Sequence, residues 1–165
     1  MKLLAISCLL VACGGKGSAH WKDQPIETQT GTIDGVKFSI DLPKGMEKSK
    51  VESKYAVDWQ FHQDGRAYAP MLSVGHLPKK QTLDESLAMS KDVPLQKVQQ
   101  ADSWIYSAEN SSQKGKEDYI IDAQKFVGDG ALTCHARVHA MQKGEDVKAL
   151  IPLVEKMCLS LKVQP

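Results

Sequence analysis

The stretch ALTCHARVHA, residues 131–140, alternates apolar and polar side chains without a break. Leu132, Cys134, Ala136, Val138 and Ala140 fall on one side, and Thr133, His135, Arg137 and His139 on the other. Successive side chains of a strand point to opposite faces, so this period of two predicts a strand with one buried and one wet face. Downstream, Val147, Leu150, Ile151, Val154, Cys158 and Leu161 recur at helical spacing and predict a helix over about 146–161. Pro152 conflicts with a helix running straight through it, since an interior proline costs about 3 kcal/mol. Either the helix starts at Pro152 after a short first turn, or it kinks there. Cys134 lies on the apolar face of the strand and Cys158 on the apolar stripe of the helix, so a bond between them would staple the last helix to the sheet.

Upstream, the same alternation recurs. Tyr55, Val57, Trp59 and Phe61 interleave with Lys54, Asp58, Gln60 and His62, and Val36, Phe38, Ile40 and Leu42 form a third apolar face ending at Pro43. Residues 67–77, 103–109 and 117–127 are weaker strand candidates. Asp34-Gly35, Asp64-Gly65 and Asp129-Gly130 tolerate the positive φ of tight hairpin turns, and each separates strand-like runs. Thr82 and Glu85 have the spacing of a capping box, with Leu83 and Leu87 one turn apart in a first helix that Pro94 closes. The expectation is an α+β domain, a central and mostly antiparallel sheet of about six strands flanked by helices.

The whole chain has 165 residues, 42% hydrophobic and 25% charged, with 21 basic and 20 acidic side chains. That length supports one domain. Its near-neutral charge argues against nucleic-acid binding, which rests on a basic excess facing phosphates. Its apolar content argues against a disordered chain.

The front end reads as a processing segment. Lys2 supplies a positive charge, and Leu3 to Ala12 is an apolar or small run too short to span a bilayer. It ends in Leu10-Val11-Ala12-Cys13, which resembles the lipobox of bacterial lipoproteins. The resemblance implies cleavage before Cys13 and attachment of diacylglycerol to its thiol, giving residues 1–12 as signal peptide. Two or three acyl chains hold far more firmly than one, because each buried methylene contributes about 0.8 kcal/mol. Gly14 after the cysteine is not the Asp of inner-membrane retention, so the resemblance favours an outer-membrane anchor facing the periplasm. The alternative is a secreted or soluble periplasmic protein cut after Ala19. Residues 13–31 read as the lipidated cysteine and a flexible tether, and residues 32–163 as the globular domain. With Cys8 removed and Cys13 lipidated, Cys134 and Cys158 remain, and an even pair in an exported chain reads as one disulfide; two buried free thiols are the alternative.

The strand Phe38-Ser39-Ile40-Asp41-Leu42-Pro43-Lys44-Gly45 resembles the F-x-I-x-L-P-x-G entry of PsbP/DcrB-like domains. The close, from Ile151 through Leu161-Lys162, resembles their terminal helix and strand-like tail. Met46 departs from the pattern, where a tryptophan is common. The resemblance implies an α/β/α sandwich and a binding or scaffolding habit, with no shared chemistry.

Nothing local supplies catalytic equipment. HExxH, G-x-S-x-G and a Cys-His nucleophile signature are absent from the sequence. His135 and His139 share a strand face but stand about 13 Å apart at ~3.3 Å per residue, too far for one ion. His20 falls in the tether, His62 on a wet strand face and His76 near a strand end. No enzyme activity, metal or cofactor is expected. The expected function is a non-catalytic binding or scaffold lipoprotein for an envelope protein. The alternative is a small-ligand carrier with a pocket between sheet and helix. Trp59, Phe61, Trp104 and Tyr106 read first as core. Where a ligand cleft is sought, Trp104 and Tyr106 beside the 110–116 loop are the candidate lining.

Overall fold

The computed structural model describes residues 21–50, 53–63, 66–113, 117–140 and 145–165. A 3-10 turn, Trp21–Asp23, leads into β1 (Ile26–Ile33) and β2 (Val36–Pro43). β3 (Glu47–Lys48), β4 (Ala56–Gln63) and β5 (Arg66–Leu77) precede α1 (Leu83–Met89). There follow β6 (Val93–Gln99), β7 (Ser103–Glu109), β8 (Asp118–Val127) and β9 (Gly130–His139), then α2 (Ile151–Leu159) and β10 (Lys162–Val163). The strands form two antiparallel sheets, ordered β1-β2-β10 and β3-β4-β5-β9-β8-β7-β6.

The antiparallel expectation holds, but the balance of elements differs. The described residues contain ten strands and two short α-helices, so the protein is mostly β rather than a sheet sandwiched between helical layers. One face of the seven-stranded sheet packs against β2 and α2, burying Phe38, Ile40, Leu42, Trp59, Val74, Ile121, Leu132, Cys134 and Val154 in the main core. Phe38 meets Trp59 edge-on at 6.0 Å. The opposite face carries α1, which covers a second, smaller core.

The N-terminal boundary is corrected. Residues 26–31 belong to β1, paired along its length with β2, and Trp21 is buried, so the tether reading fails from Trp21 onward. β1 has little apolar content and is largely exposed, so its order comes from the ladder and not from patterning. Gly31 is in that strand for a reason of space: a Cβ there would sit 2.5 Å from Phe38 Cζ. Residues 13–20, with Cys13 and His20, lie outside the described residues.

The turns follow the expected chemistry with one shift. Asp34 and Gly35 both have positive φ, +47° and +79°, as a type I′ hairpin needs. At the β8–β9 hairpin the two loop residues are instead Gly128 and Asp129, with positive φ at Gly128, and Gly130 already pairs with Val127. Asp64-Gly65 lies outside the described residues, between strands that do pair.

α1 has the full capping box: the Glu85 amide donates to Thr82 Oγ1 at 3.1 Å, and the Thr82 amide donates to Glu85 Oε2 at 2.7 Å. It ends at Met89, before Pro94, which lies inside the edge strand β6. There Pro94 and an adjacent bulge interrupt the pairing, as edge strands allow. The last helix resolves the Pro152 conflict in favour of a late start. A 3-10 turn, Lys148–Leu150, comes first, and Pro152 occupies the opening of α2, where its missing N–H has no intrahelical acceptor. Cys134 and Cys158 are joined as a disulfide, with Cα atoms 5.5 Å apart. It ties α2 to β9 across the main core, a constraint typically contributing about 2–4 kcal/mol.

Candidate functional site

On the outer face of the large sheet, chemistry changes from strand to strand. Trp104, Tyr106 and Ala108 of β7 and Ile120 of β8 are buried under Leu83, with Leu87 and Phe126 packed against them. The Trp104 and Tyr106 rings stack 5.9 Å apart. Trp104 Nε1 donates to the Gln81 carbonyl at 2.8 Å, which satisfies the only polar atom of that side chain. These two residues, the candidate lining of a ligand cleft, are therefore core members capped by α1, each 3% exposed. Trp104 also borders a small cavity of about 190 Å³ with Gln100, Lys125 and Leu159.

Beyond β8 no helix among the described residues covers the outer face. The register aligns Asp58, Ser73, His135, Asp122 and Tyr106 in one row across β4, β5, β9, β8 and β7. Gln60, Met71, Arg137 and Ile120 form the next row. An open cleft of about 380 Å³ lies over the uncovered part, lined by Asp58, Gln60, Met71, Ser73, His135 and Arg137.

The row is wired from the buried side outward. The Tyr106 hydroxyl donates to Asp122 Oδ2 at 2.9 Å, and His135 Nδ1 lies 2.7 Å from Asp122 Oδ1. A carboxylate only accepts, so Nδ1 carries the proton and the imidazole is held with Nε2 outward. Burial, followed by the charge and hydrogen bond of Asp122, pushes the Tyr106 hydroxyl up to about 12 and keeps it a donor. The Asp122 hydrogen bond raises the pKa of His135 above its ordinary value. Burial and Arg137 oppose the shift, and the Asp122 and Asp92 charges support it. Arg137 is fixed in parallel: its Nε donates to both oxygens of buried Asp118 at 3.0 and 3.1 Å, and Nη2 also bonds Asp118. The His135 imidazole and the Arg137 guanidinium thus face the cleft, each anchored from behind by a carboxylate.

Ser73, His135 and Asp122 stand in the order of a serine–histidine–aspartate triad, but Ser73 Oγ makes no hydrogen bond among the described residues. β5 is paired on both sides, so backbone N–H groups around Ser73 belong to the ladder and do not point onto this face to receive an oxyanion. His139 is placed apart from His135, its partner across β8 being Asp118. Among the described residues no group of three His, Cys, Asp or Glu side chains could hold a metal ion. His76 Nδ1 instead meets Asp34 Oδ2 at 3.1 Å, and His62 meets the Gln60 amide.

Sequence reasoning missed the Asp122–His135 pair, although the signal was present. A two-residue hairpin at Gly128-Asp129 fixes the register of β8 against β9 and sets Asp122 opposite His135. The expected turn at Asp129-Gly130 concealed it, because moving the loop by one position sets Gln124, two residues along β8, opposite His135 instead of Asp122.

The two antiparallel sheets with their two short helices form a PsbP/Mog1-like fold. The chain is similar to the Ran-binding protein Mog1p of Saccharomyces cerevisiae, with a TM-score of 0.57 at 13% identity, over 84% of this chain and 96% of that one. It is also similar to cyanobacterial PsbP (CyanoP) of Synechocystis sp. PCC 6803, with a TM-score of 0.52 at 16% identity, over 94% of this chain and 99% of that one. No protein-family model and no curated protein matches the chain.

Proposed function

We propose that this protein is an exported lipoprotein, anchored through Cys13 to the outer membrane and facing the periplasm. There it acts as a non-catalytic binding or scaffold module for an envelope partner, using the uncovered half of the large sheet. The observation that carries the binding role is the outward-held pair His135 and Arg137, both fixed by carboxylates behind them, over an open cleft. Side chains immobilised before a ligand arrives lower the ordering cost of binding. The anchor rests on the Leu10–Cys13 motif at the end of an apolar run, and the Cys134–Cys158 bond fits an oxidising compartment. Mog1p, which shares the fold, is by name a Ran-binding protein.

A second reading has its own observation. A groove of about 410 Å³ runs between the β1–β2 hairpin and α2, lined by Trp21, Ile26, Pro43, Leu153 and Met157 with Lys156 at its rim. Ile26 and Leu153 are exposed there, 59% and 39%, which suits a small apolar ligand between sheet and helix.

Whole-cell crosslinking followed by mass spectrometry tests the first reading. The wild-type chain should fractionate with membranes, incorporate labelled palmitate and yield a crosslinked envelope protein. Cys13→Ala should lose membrane association and palmitate together. A wild-type chain that stays soluble and unlipidated, or one that captures no envelope protein under conditions that trap known envelope complexes, would refute it.

A further inference from the structure

The cleft over β4, β5 and β9 carries charged groups at its two ends. Asp122 accepts from Tyr106 and His135, and Asp118 accepts from Arg137, so the carboxylates behind the cleft already have their donors. On the cleft side, donors are left over. With Nδ1 turned to Asp122, His135 presents Nε2 to the cleft, and Arg137 has Nη1 beyond its Nε and Nη2 bonds to Asp118. At the far wall stands Asp58, exposed, whose carboxylate has no partner among the described residues. Ser73 lies between, opposite both Asp58 and His135 in the register.

The cleft is thus dipolar: the Arg137 guanidinium beside a carboxylate-held imidazole at one end, and one free carboxylate at the other. Asp58 and His135 are two strands apart, about 9.6 Å at ~4.8 Å per strand. An extended peptide advances ~3.3–3.6 Å per residue, so three residues span about 10 Å.

We propose that this cleft binds a short peptide with both termini free, two or three residues long, lying across the strands. Its carboxylate meets His135 and Arg137, its ammonium meets Asp58, and Ser73 sits beneath the backbone. This deepens the binding role proposed above by naming the chemistry the open face recognises. A carboxylate held by the Arg137 guanidinium is a charge-assisted pair, stronger than neutral hydrogen bonds. Like charges at the wrong end exclude a reversed peptide.

The test is a titration of the intact protein with trialanine, followed by amide and side-chain NMR. Trialanine should shift the signals of Asp58, Ser73, His135 and Arg137 and leave those of α1 unmoved. N-acetyl-trialanine and trialanine amide, each lacking one charged end, should bind at least about tenfold more weakly, as should the Asp58→Asn and His135→Gln variants. Ala88→Ser on α1 should bind like the wild type. Because the modified peptides are tested on unaltered protein, misfolding of a variant cannot decide the result. No shift at millimolar trialanine, or equal binding of all three peptides, overturns the inference. If a crosslinked envelope protein is nevertheless captured, the scaffold role stands without it; shifts without any captured partner would support the peptide site and sink the scaffold role.

Discussion

The two halves of the outer sheet face are made of the same antiparallel strands, yet one is closed and the other open. Over β7 and β8, α1 covers Trp104, Tyr106, Ala108 and Ile120, and the aromatic rings stack in a dry core. Over β4, β5 and β9, Asp58, Gln60, Ser73, His135 and Arg137 face a cleft. The boundary is the Tyr106–Asp122–His135 chain, which begins at a buried hydroxyl and ends at an exposed imidazole. The comparison teaches that a helix seven residues long is enough to turn half a sheet face into core, and that the core then holds the other half in position.

The largest test of this division removes the capped half's bulk. Trp104→Ala should destabilise the protein by about 3–5 kcal/mol in urea denaturation, because it empties a packed site and orphans the Gln81 carbonyl. A loss under 1 kcal/mol would show that α1 covers the sheet without packing on it. At the boundary, Tyr106→Phe should cost about 1.5 kcal/mol, the value of a hydrogen bond to a charged acceptor at its lower end, since Asp122 is partly reached by water. It should also broaden or shift the His135 resonances, which a purely local effect would leave alone.

Next in size is a pH effect. His135 has a raised pKa in the folded protein, so its contribution to stability is fully present below about pH 6.5 and is lost as pH rises through the folded value. Asp122→Asn should return the His135 titration toward the ordinary range and flatten that part of the stability profile. An unchanged titration curve in the variant would mean that Asp122 does not hold the imidazole. Smallest of all, Ser73→Ala on the open half should alter unfolding free energy by no more than about 0.5 kcal/mol. A large loss there would place Ser73 in the structural network and break the division.

How much of this was legible depends on which physical rule wrote each element. The period of two fixed β2, β4 and β9 because each has one face in the main core. The placement of Cys134 and Cys158 on two apolar faces anticipated their joining. β1 and β6 were hidden, since both are largely exposed and owe their existence to backbone pairing with β2 and β7 rather than to hydrophobic alternation. Short helices replaced the expected flanking layers: Thr82 and Pro152 mark where the helices start, but Pro94, the expected stop of the first, lies in β6, beyond the end of α1 at Met89. Trp104 and Tyr106 were rightly grouped, yet their face was unknowable without α1 above them. The candidate cleft was the least legible part, because Asp58, Ser73, His135 and Asp122 come together only through cross-strand register.

The direct measurement places a photoreactive amino acid at Asp58 or Ser73 on the open half, and at Asp84 or Ala88 on α1, one position at a time, in living cells of the native host. Irradiation should give adducts to an envelope component from positions 58 and 73 and none from 84 and 88. Adducts from α1 alone, with the cleft positions silent, would contradict the assignment of binding to the uncovered half.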